Sequence, residues 1–278
     1  MSSVTILDGP TGTELERRGL ALPAPLWSAR AVIERPDLLT AIHRDYAAAG
    51  AQVHTAATFR TTARALAGTA WASRWDELAT RAVALCREAA GPGARVAGSL
   101  APLEDCFTPA LTPDEAALAR EHRELAGVLA RAGCDLLLVE TMPTLRELRA
   151  ATRAAVATGL PVWSAVTLGP RGDFFDDTGL RDARQAAADE GAQAFLINCS
   201  AAGRITAALE GPLARRPAPS GLLLGAYANA IFGPDEAESP ARYALETKRW
   251  HACGATLLGG CCGTGPAHVA ALRAAFPG

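Results

Sequence analysis

Short apolar runs, rich in Val, Ile and Leu or otherwise small and uncharged, recur along the chain, each too short to make a helix. They occupy residues 4–9, 51–59, 95–102, 134–141, 161–168, 192–200, 221–229 and 255–263. Between them lie Ala-rich segments with apolar residues at helical spacing, at 37–49, 73–90, 113–132, 144–158, 179–190, 240–253 and 266–275. The pattern predicts eight strands alternating with helices. Gly50, Gly133, Gly159, Gly191 and Gly254 each stand between a helical segment and the next strand, where left-handed backbone ends a helix and glycine is favoured. Pro36-Asp37, Thr112-Pro113-Asp114 and Ser239-Pro240 place a capping side chain or a proline where the first helical turn lacks internal partners.

Eight strand and helix units in 278 residues match the ~250 residues typical of a (β/α)8 barrel. Apolar runs without strict alternation are what strands buried on both faces require. The expectation is therefore an α/β fold, a single (β/α)8 TIM barrel forming one domain over residues 1–278. The competing open, doubly wound sheet usually carries Gly-x-Gly-x-x-Gly after its first strand, and DGPTGTELERRG lacks that spacing. The stretch 211–221, GPLARRPAPSG, reads as a loop between the sixth helix and the seventh strand rather than as an interdomain linker.

Composition narrows the function. A formal charge of −2 offers no basic face to nucleic acid, so a small neutral or zwitterionic ligand fits better. The start, MSSVTILDGP, has no charged region followed by a long apolar stretch, and no later segment approaches a membrane span, so a cytoplasmic location is expected. Seven cysteines form an odd set that a reducing compartment would keep as thiols, which turns attention to metal ligation or catalysis. Oligomeric state has no signature in the sequence.

In barrel enzymes the active site is assembled at the C-terminal ends of the strands. Here strand one ends in Asp8-Gly9, strand four in Glu140-Thr141 and strand six in Asn198-Cys199-Ser200. Strand seven ends in Tyr227-Ala228-Asn229 and strand eight in Gly259-Gly260-Cys261-Cys262-Gly263. One strand separates the sixth from the eighth in a closed barrel, so Cys199 can converge with Cys261 and Cys262. Three thiolates are a tetrahedral zinc set that leaves a fourth position for substrate. Cys86, Cys134 and Cys253 fall in helices or at strand starts and are assigned to packing, and Cys106, on the same rim, is left outside the ligand set. His43, His122, His251 and His268 fall in predicted helices on the outside of the barrel, and His54, within strand two, is given a structural role.

These motifs resemble the homocysteine S-methyltransferases, the zinc-dependent group that includes the S-methylmethionine and betaine enzymes and the N-terminal part of cobalamin-dependent methionine synthase. The likeness spans nearly the whole chain. It is carried by LDGPTGTELERRG at 7–19, PLWSA at 25–29, the AGA and TF of strand two, DLLLVETMPTLRE at 135–147, INCSA at 197–201 and GGCCGTGPAHV at 259–269. The resemblance implies zinc on Cys199, Cys261 and Cys262, with Asp8 and Glu140 holding the amino group of a homocysteine-like substrate. Asn198, Tyr227 and Asn229 complete the expected substrate contacts. The implied reaction moves a methyl group from a sulfonium donor, S-methylmethionine or S-adenosylmethionine, to the thiol of homocysteine, giving methionine. A thiol on such a metal stays nucleophilic near neutral pH. A betaine-type donor, another small thiol acceptor, a zinc-carrying thiol-binding protein without turnover, and a redox CysCys pair are the alternatives. Pro10, Ala57 and Arg60 depart from the family pattern, and Arg60 reads either as a carboxylate contact or as a solvated loop charge. The loop RGDFFDDTG at 171–179 offers Phe174 and Phe175 beside Asp173, Asp176 and Asp177, a cation-binding composition or an ordinary acidic surface loop.

Overall fold

The computed structural model describes residues 3–215, 218–230 and 239–277. Its strands are β1 (Thr5–Ile6), β2 (Val53–Ala56), β3 (Arg95–Leu100), β4 (Leu136–Met142), β5 (Val162–Thr167), β6 (Ala194–Ala201), β7 (Leu223–Asn229) and β8 (Ala255–Gly260). All pairings are parallel, in the order β1-β8-β7-β6-β5-β4-β3-β2. The ring closes where Leu7 bridges Val53, with Asp8 N–H donating to the Val53 carbonyl at 2.9 Å and Gln52 N–H to the Ile6 carbonyl at 2.8 Å. This is the expected (β/α)8 barrel.

The helices are α1 (Thr11–Arg17), α2 (Ala29–Glu34), α3 (Pro36–Ala48), α4 (Trp75–Ala90), α5 (Glu115–Arg131), α6 (Leu145–Val156), α7 (Asp177–Asp189), α8 (Ala202–Ala208), α9 (Pro240–Ala252) and α10 (Pro266–Ala275). The five glycines expected to end helices all have left-handed backbone, with φ between 82° at Gly159 and 99° at Gly50. Asp114 and Ser239 cap α5 and α9 by accepting from Ala117 N–H and Arg242 N–H. At α3 proline alone marks the start, because Arg35 occupies the cap position and makes no side-chain cap.

Three departures from the sequence pattern have local causes. The first strand is reduced to two residues because Leu7 and Asp8 turn from β8 to β2, closing the ring. Helices α1 and α2 follow no long apolar repeat; they are short segments between β1 and α3, α1 packing on α3 and α2 on α3 and α4. After β6 the chain forms α8 and then a widened turn at Leu209–Leu213, where the wider hydrogen-bond spacing accommodates Pro212, so helix extends into the start of the expected 211–221 loop. Residues 216 and 217 of that stretch lie outside the described residues.

Two apolar layers explain the continuous strand runs. Leu136, Leu138, Trp163, Ala165 and Leu196 fill the barrel interior, while Leu137, Val139, Val166, Phe195 and Ile197 face the helices. Both faces exclude water, so alternation with polar residues is absent until the strand ends. Among the described residues, no helix is long and apolar enough to cross a membrane.

Candidate active site at the strand ends

A cavity of about 730 Å³ opens at the C-terminal ends of the strands and includes Asp8, Ser99, Glu140, Cys199, Tyr227, Cys261 and Cys262 in its wall. Two strands break their regular alternation to build it. Leu196 and Leu138 point into the barrel, so regular pleating would turn Cys199 and Thr141 away toward the helices. Instead Cys199 has φ +47° and Thr141 φ +62°, and the strand registers slip between Asn198 and Ala201 and between Val139 and Met142. Left-handed backbone is unfavourable for non-glycine residues and persists where surrounding contacts enforce it. Asn198 supplies that enforcement: its Oδ1 accepts from Thr141 N–H at 2.9 Å and its Nδ2 donates to Thr141 Oγ1 at 2.8 Å. The third such residue, Trp27 (φ +42°), also lines the cavity.

The slip at Cys199 turns its sulfur to the cysteines after β8. The Sγ atoms of Cys199, Cys261 and Cys262 all lie within 4.8 Å of one another. The loop that presents the latter two is pinned from every side. Cys261 N–H donates to Ala228 O (2.8 Å), Ala230 N–H to Cys262 O (2.8 Å), and Gly260 N–H to Asp8 O (3.1 Å). Thr264 Oγ1 donates to Cys261 O at 2.9 Å, and Arg17 from α1 donates to the carbonyls of Gly263 and Thr264. Glycine is obligatory at 260, since a Cβ there would stand 2.1 Å from Thr264 Oγ1.

Crowding three thiols makes their ionisation interdependent. Hydrogen bonds from Cys199 and Cys261 pull Cys262 down to about 3, so it is the thiolate of the group. At Cys261 the bonds to Cys199 and Cys262, followed by burial, raise the thiol well above its ordinary value. At Cys199 the bond to Cys261 lowers the value, but the bond to Cys262, burial and the Cys262 charge outweigh it and leave the thiol raised. Three soft sulfur donors at one point are suited to a thiophilic cation, which would relieve this repulsion, and they leave room for a fourth ligand. Cys106 lies in the cavity wall but outside this group, with burial pushing its thiol up to about 12. All seven cysteines are free thiols.

Beside the sulfurs lie two buried carboxylates. Glu140 Oε1 accepts from Ser99 Oγ at 2.5 Å, and its Oε2 from Tyr227 OH at 3.1 Å and Asn198 Nδ2 at 3.5 Å. Burial raises Glu140 above the usual carboxylate range despite the Ser99 and Tyr227 bonds, and the Cys262 charge adds to the rise. Asp8 Oδ2 accepts from Thr55 N–H at 2.9 Å. Burial raises Asp8 well above its ordinary value; the Thr55 bond opposes this and the Glu140 charge adds to it. Paired buried carboxylates of this kind are stabilised by a ligand cation.

Helix placement of the histidines hides two roles. His43 and His122 lie in outer-ring helices, as expected, but on the inner faces, where both are fully buried. The signal was present in the spacing: His43 lies in the stripe Leu39, Ile42, Tyr46, and His122 in Leu118, Leu125, Leu129. His122 contacts Glu147 at 3.2 Å. His43 and His54 reach the back of Asp8, ring nitrogens and carboxylate oxygen all within 4.8 Å of one another.

Of the expected substrate contacts, Asp8, Glu140 and Tyr227 line the cavity, as do Pro10, Ala57 and Arg60. Asn198 is fully buried behind the wall, its side chain engaged by Thr141 and Glu140. Asn229 is not among the described lining residues. The 171–179 loop stays outside the cavity: Asp173 pairs with Arg171, Asp177 with Arg215, and Asp176 caps α7. Its Phe174 packs on Gly169. The aromatic wall is instead Trp27 and Phe59, edge to face at 5.7 Å. Ser99 escaped the sequence reading although a hydroxyl inside an apolar strand run was its signal; Trp27 and Phe59 carried none beyond lying within matched motifs.

Gly260→Ala is expected to weaken metal binding by about 10-fold or more, because the loop bearing Cys261 and Cys262 must move, while the barrel stays folded. Metal titration alongside circular dichroism checks this, and wild-type affinity would refute it. His43 supplies a pH prediction. Burial, assisted by the His54 charge, depresses it to about 3, below the ~6.5 of an unfolded chain. Between these values the unfolded state binds the extra proton, so this contribution to stability is full above ~6.5 and is lost as pH falls toward 3. On going from pH 7 to 5, His43→Gln should lose about 2 kcal/mol less stability than wild type in urea unfolding; parallel losses would contradict the assignment.

Comparison with known proteins agrees with this geometry. The family model described as homocysteine S-methyltransferase matches residues 5–276. The homocysteine S-methyltransferase of Escherichia coli is 34% identical over 98% of this chain and 94% of its own length. The metallated crystal form of the homocysteine methyltransferase MmuM from Escherichia coli superposes with a TM-score of 0.82 at 32% identity, covering 98% of this chain and 96% of that one. An S-methylmethionine–homocysteine S-methyltransferase of Pongo abelii is 32% identical over 63% of this chain and 46% of its own length. The chain belongs to the homocysteine S-methyltransferase family.

Proposed function

We propose that this protein is a zinc-dependent methyltransferase that moves a methyl group from a sulfonium donor to the thiol of homocysteine, forming methionine. The observation that carries it is the juxtaposition of a three-sulfur cluster with two buried carboxylates in one cavity wall. Cys199, Cys261 and Cys262 would hold the zinc, and the ion when bound would keep an acceptor thiol deprotonated near neutral pH. Barrel and cavity would act as one domain over residues 1–278, in the cytoplasm, where reducing conditions preserve the free thiols.

The chain's own groups account for the rest. Asp8 and Glu140 take the acceptor's ammonium, whose charge offsets the cost of burying both carboxylates. Tyr227, held protonated mainly by burial, donates to Glu140, as does Ser99, so Glu140 stays fixed when the ligand leaves. The acceptor sulfur then attacks the donor methyl carbon. A new C–S bond forms as the old one breaks, and the bonding pair returns to the donor sulfur, which departs as a neutral thioether. No protein base is needed at that step, because no proton moves. Trp27 and Phe59 line the wall along which the cation approaches, where an aromatic ring face attracts it. The metallated relative supports a metal at the site, for which three cysteine sulfurs favour zinc, and the relative named for S-methylmethionine supports a sulfonium donor.

The test is product analysis. Purified protein loaded with zinc should convert homocysteine and S-methylmethionine to methionine, with Glu140→Gln raising KM for homocysteine about 10-fold or more. Absence of methylated thiol with S-methylmethionine, S-adenosylmethionine and betaine would leave a thiol-binding protein instead. Full activity after metal removal would replace the mechanism with a redox cysteine pair.

A further inference from the structure

We propose that Arg60 reads the carboxylate of the methyl donor, which restricts the donor to a zwitterionic onium compound carrying a free carboxylate; this rests on the function proposed above. Among the described lining residues the cavity has two cations, Arg60 and Arg64. Arg64 is consumed by the protein: its Nε and Nη2 meet Glu121 at 2.8 and 2.7 Å, and its Nη1 meets Glu104 at 2.8 Å. Arg60 makes no ion pair with a described residue. Its guanidinium lies 5.3 Å over the Phe59 ring, with one long contact of 3.4 Å to the Glu104 carbonyl.

The neighbouring acids are already engaged, Glu104 by Arg64 and Asp105 by the Thr108 hydroxyl and Phe107 N–H. A half-buried guanidinium with most of its five donors unused presents a fork that fits a carboxylate bidentately.

Position assigns that carboxylate to the donor. The acceptor is fixed at the cavity floor, its thiol at the cysteine cluster and its ammonium between Asp8 and Glu140. In-line attack requires the donor methyl to arrive from the open side, so the remainder of the donor extends along the wall of Trp27, Phe59 and Arg60. Cys106 shares the cavity wall with Arg60 and the cysteine cluster and feels the charges of both Arg60 and Cys262. An unpaired cation along the route of a positively charged donor is repulsive unless the donor brings an anion to meet it. A simple alkylsulfonium has none. S-methylmethionine carries one at the end remote from its methyl groups.

The experiment compares S-methylmethionine with its decarboxylated analogue in wild type, Arg60→Gln and Arg60→Lys, by steady-state kinetics and calorimetric binding. Wild type should favour S-methylmethionine by about 10- to 100-fold in kcat/KM. Arg60→Gln should erase that preference, raising KM for S-methylmethionine and, with the repulsion removed, lowering it for the analogue while the KM for homocysteine stays unchanged, and Arg60→Lys should restore part of it. Equal losses with both donors would overturn the proposal, and so would a raised KM for homocysteine, which would move the carboxylate to the acceptor. Calorimetry separates this from the catalytic reading. Binding of S-methylmethionine that weakens in Arg60→Gln without any turnover in wild type would refute the catalysis and retain the Arg60 contact, whereas binding that is indifferent to Arg60 would refute the contact.

Discussion

Three thiols whose sulfurs all lie within 4.8 Å of one another cannot ionise independently, and most of the site's architecture follows from bringing them there. Cys199 must leave the pleat of β6, which it does through left-handed backbone and a register slip. Cys261 and Cys262 must face the same point from consecutive positions, which needs a loop anchored by β1, β7, α1 and Thr264, with glycine at 260. Hydrogen bonds from Cys199 and Cys261 hold the Cys262 thiol low while both of those neighbours are raised. These three cysteines would hold a divalent ion, whose charge three thiolates would outweigh, so that a thiol bound beside them would stay electron-rich.

The same economy governs the carboxylates. Burial alone raises Asp8 and Glu140, and the hydrogen bonds that Thr55, Ser99 and Tyr227 donate only partly compensate. A cation beside them would offset that cost, which is why the proposed function seats the acceptor's ammonium there. Neither described arginine of the cavity wall pairs with them: Arg64 is locked to two glutamates and Arg60 stands over Phe59. Behind Asp8 lie the buried imidazoles of His43 and His54, both depressed by burial. Strain at Thr141, Cys199 and Trp27 is confined to this mouth, as expected where function rather than folding sets the backbone.

What was legible in the sequence was what depends on period and terminus. Apolar runs located all eight strands, and glycines at 50, 133, 159, 191 and 254 located helix ends, because both express local backbone chemistry. The strand-end rule brought Asp8, Glu140, Tyr227 and the three cysteines to one cavity. Asn229 is absent from the described cavity wall and Asn198 lies behind it, since a strand-end position does not say whether a side chain faces ligand or a neighbouring strand. The Phe174-Phe175 loop illustrates the other limit: composition suited a cation, but Arg171 and Arg215 satisfy its acids and the loop lies elsewhere. Short α1 and α2 and the inward faces of His43 and His122 depend on tertiary packing, which a reading of elements one at a time does not resolve.

If Cys199, Cys261 and Cys262 hold zinc with a fourth position open to the substrate thiol, X-ray absorption at the zinc edge, recorded with and without homocysteine, will show it. Three sulfurs at ~2.3 Å plus one lighter ligand are expected in the free protein, and four sulfurs once homocysteine is added. A shell dominated by nitrogen or oxygen, or a sulfur count that homocysteine does not change, would contradict it.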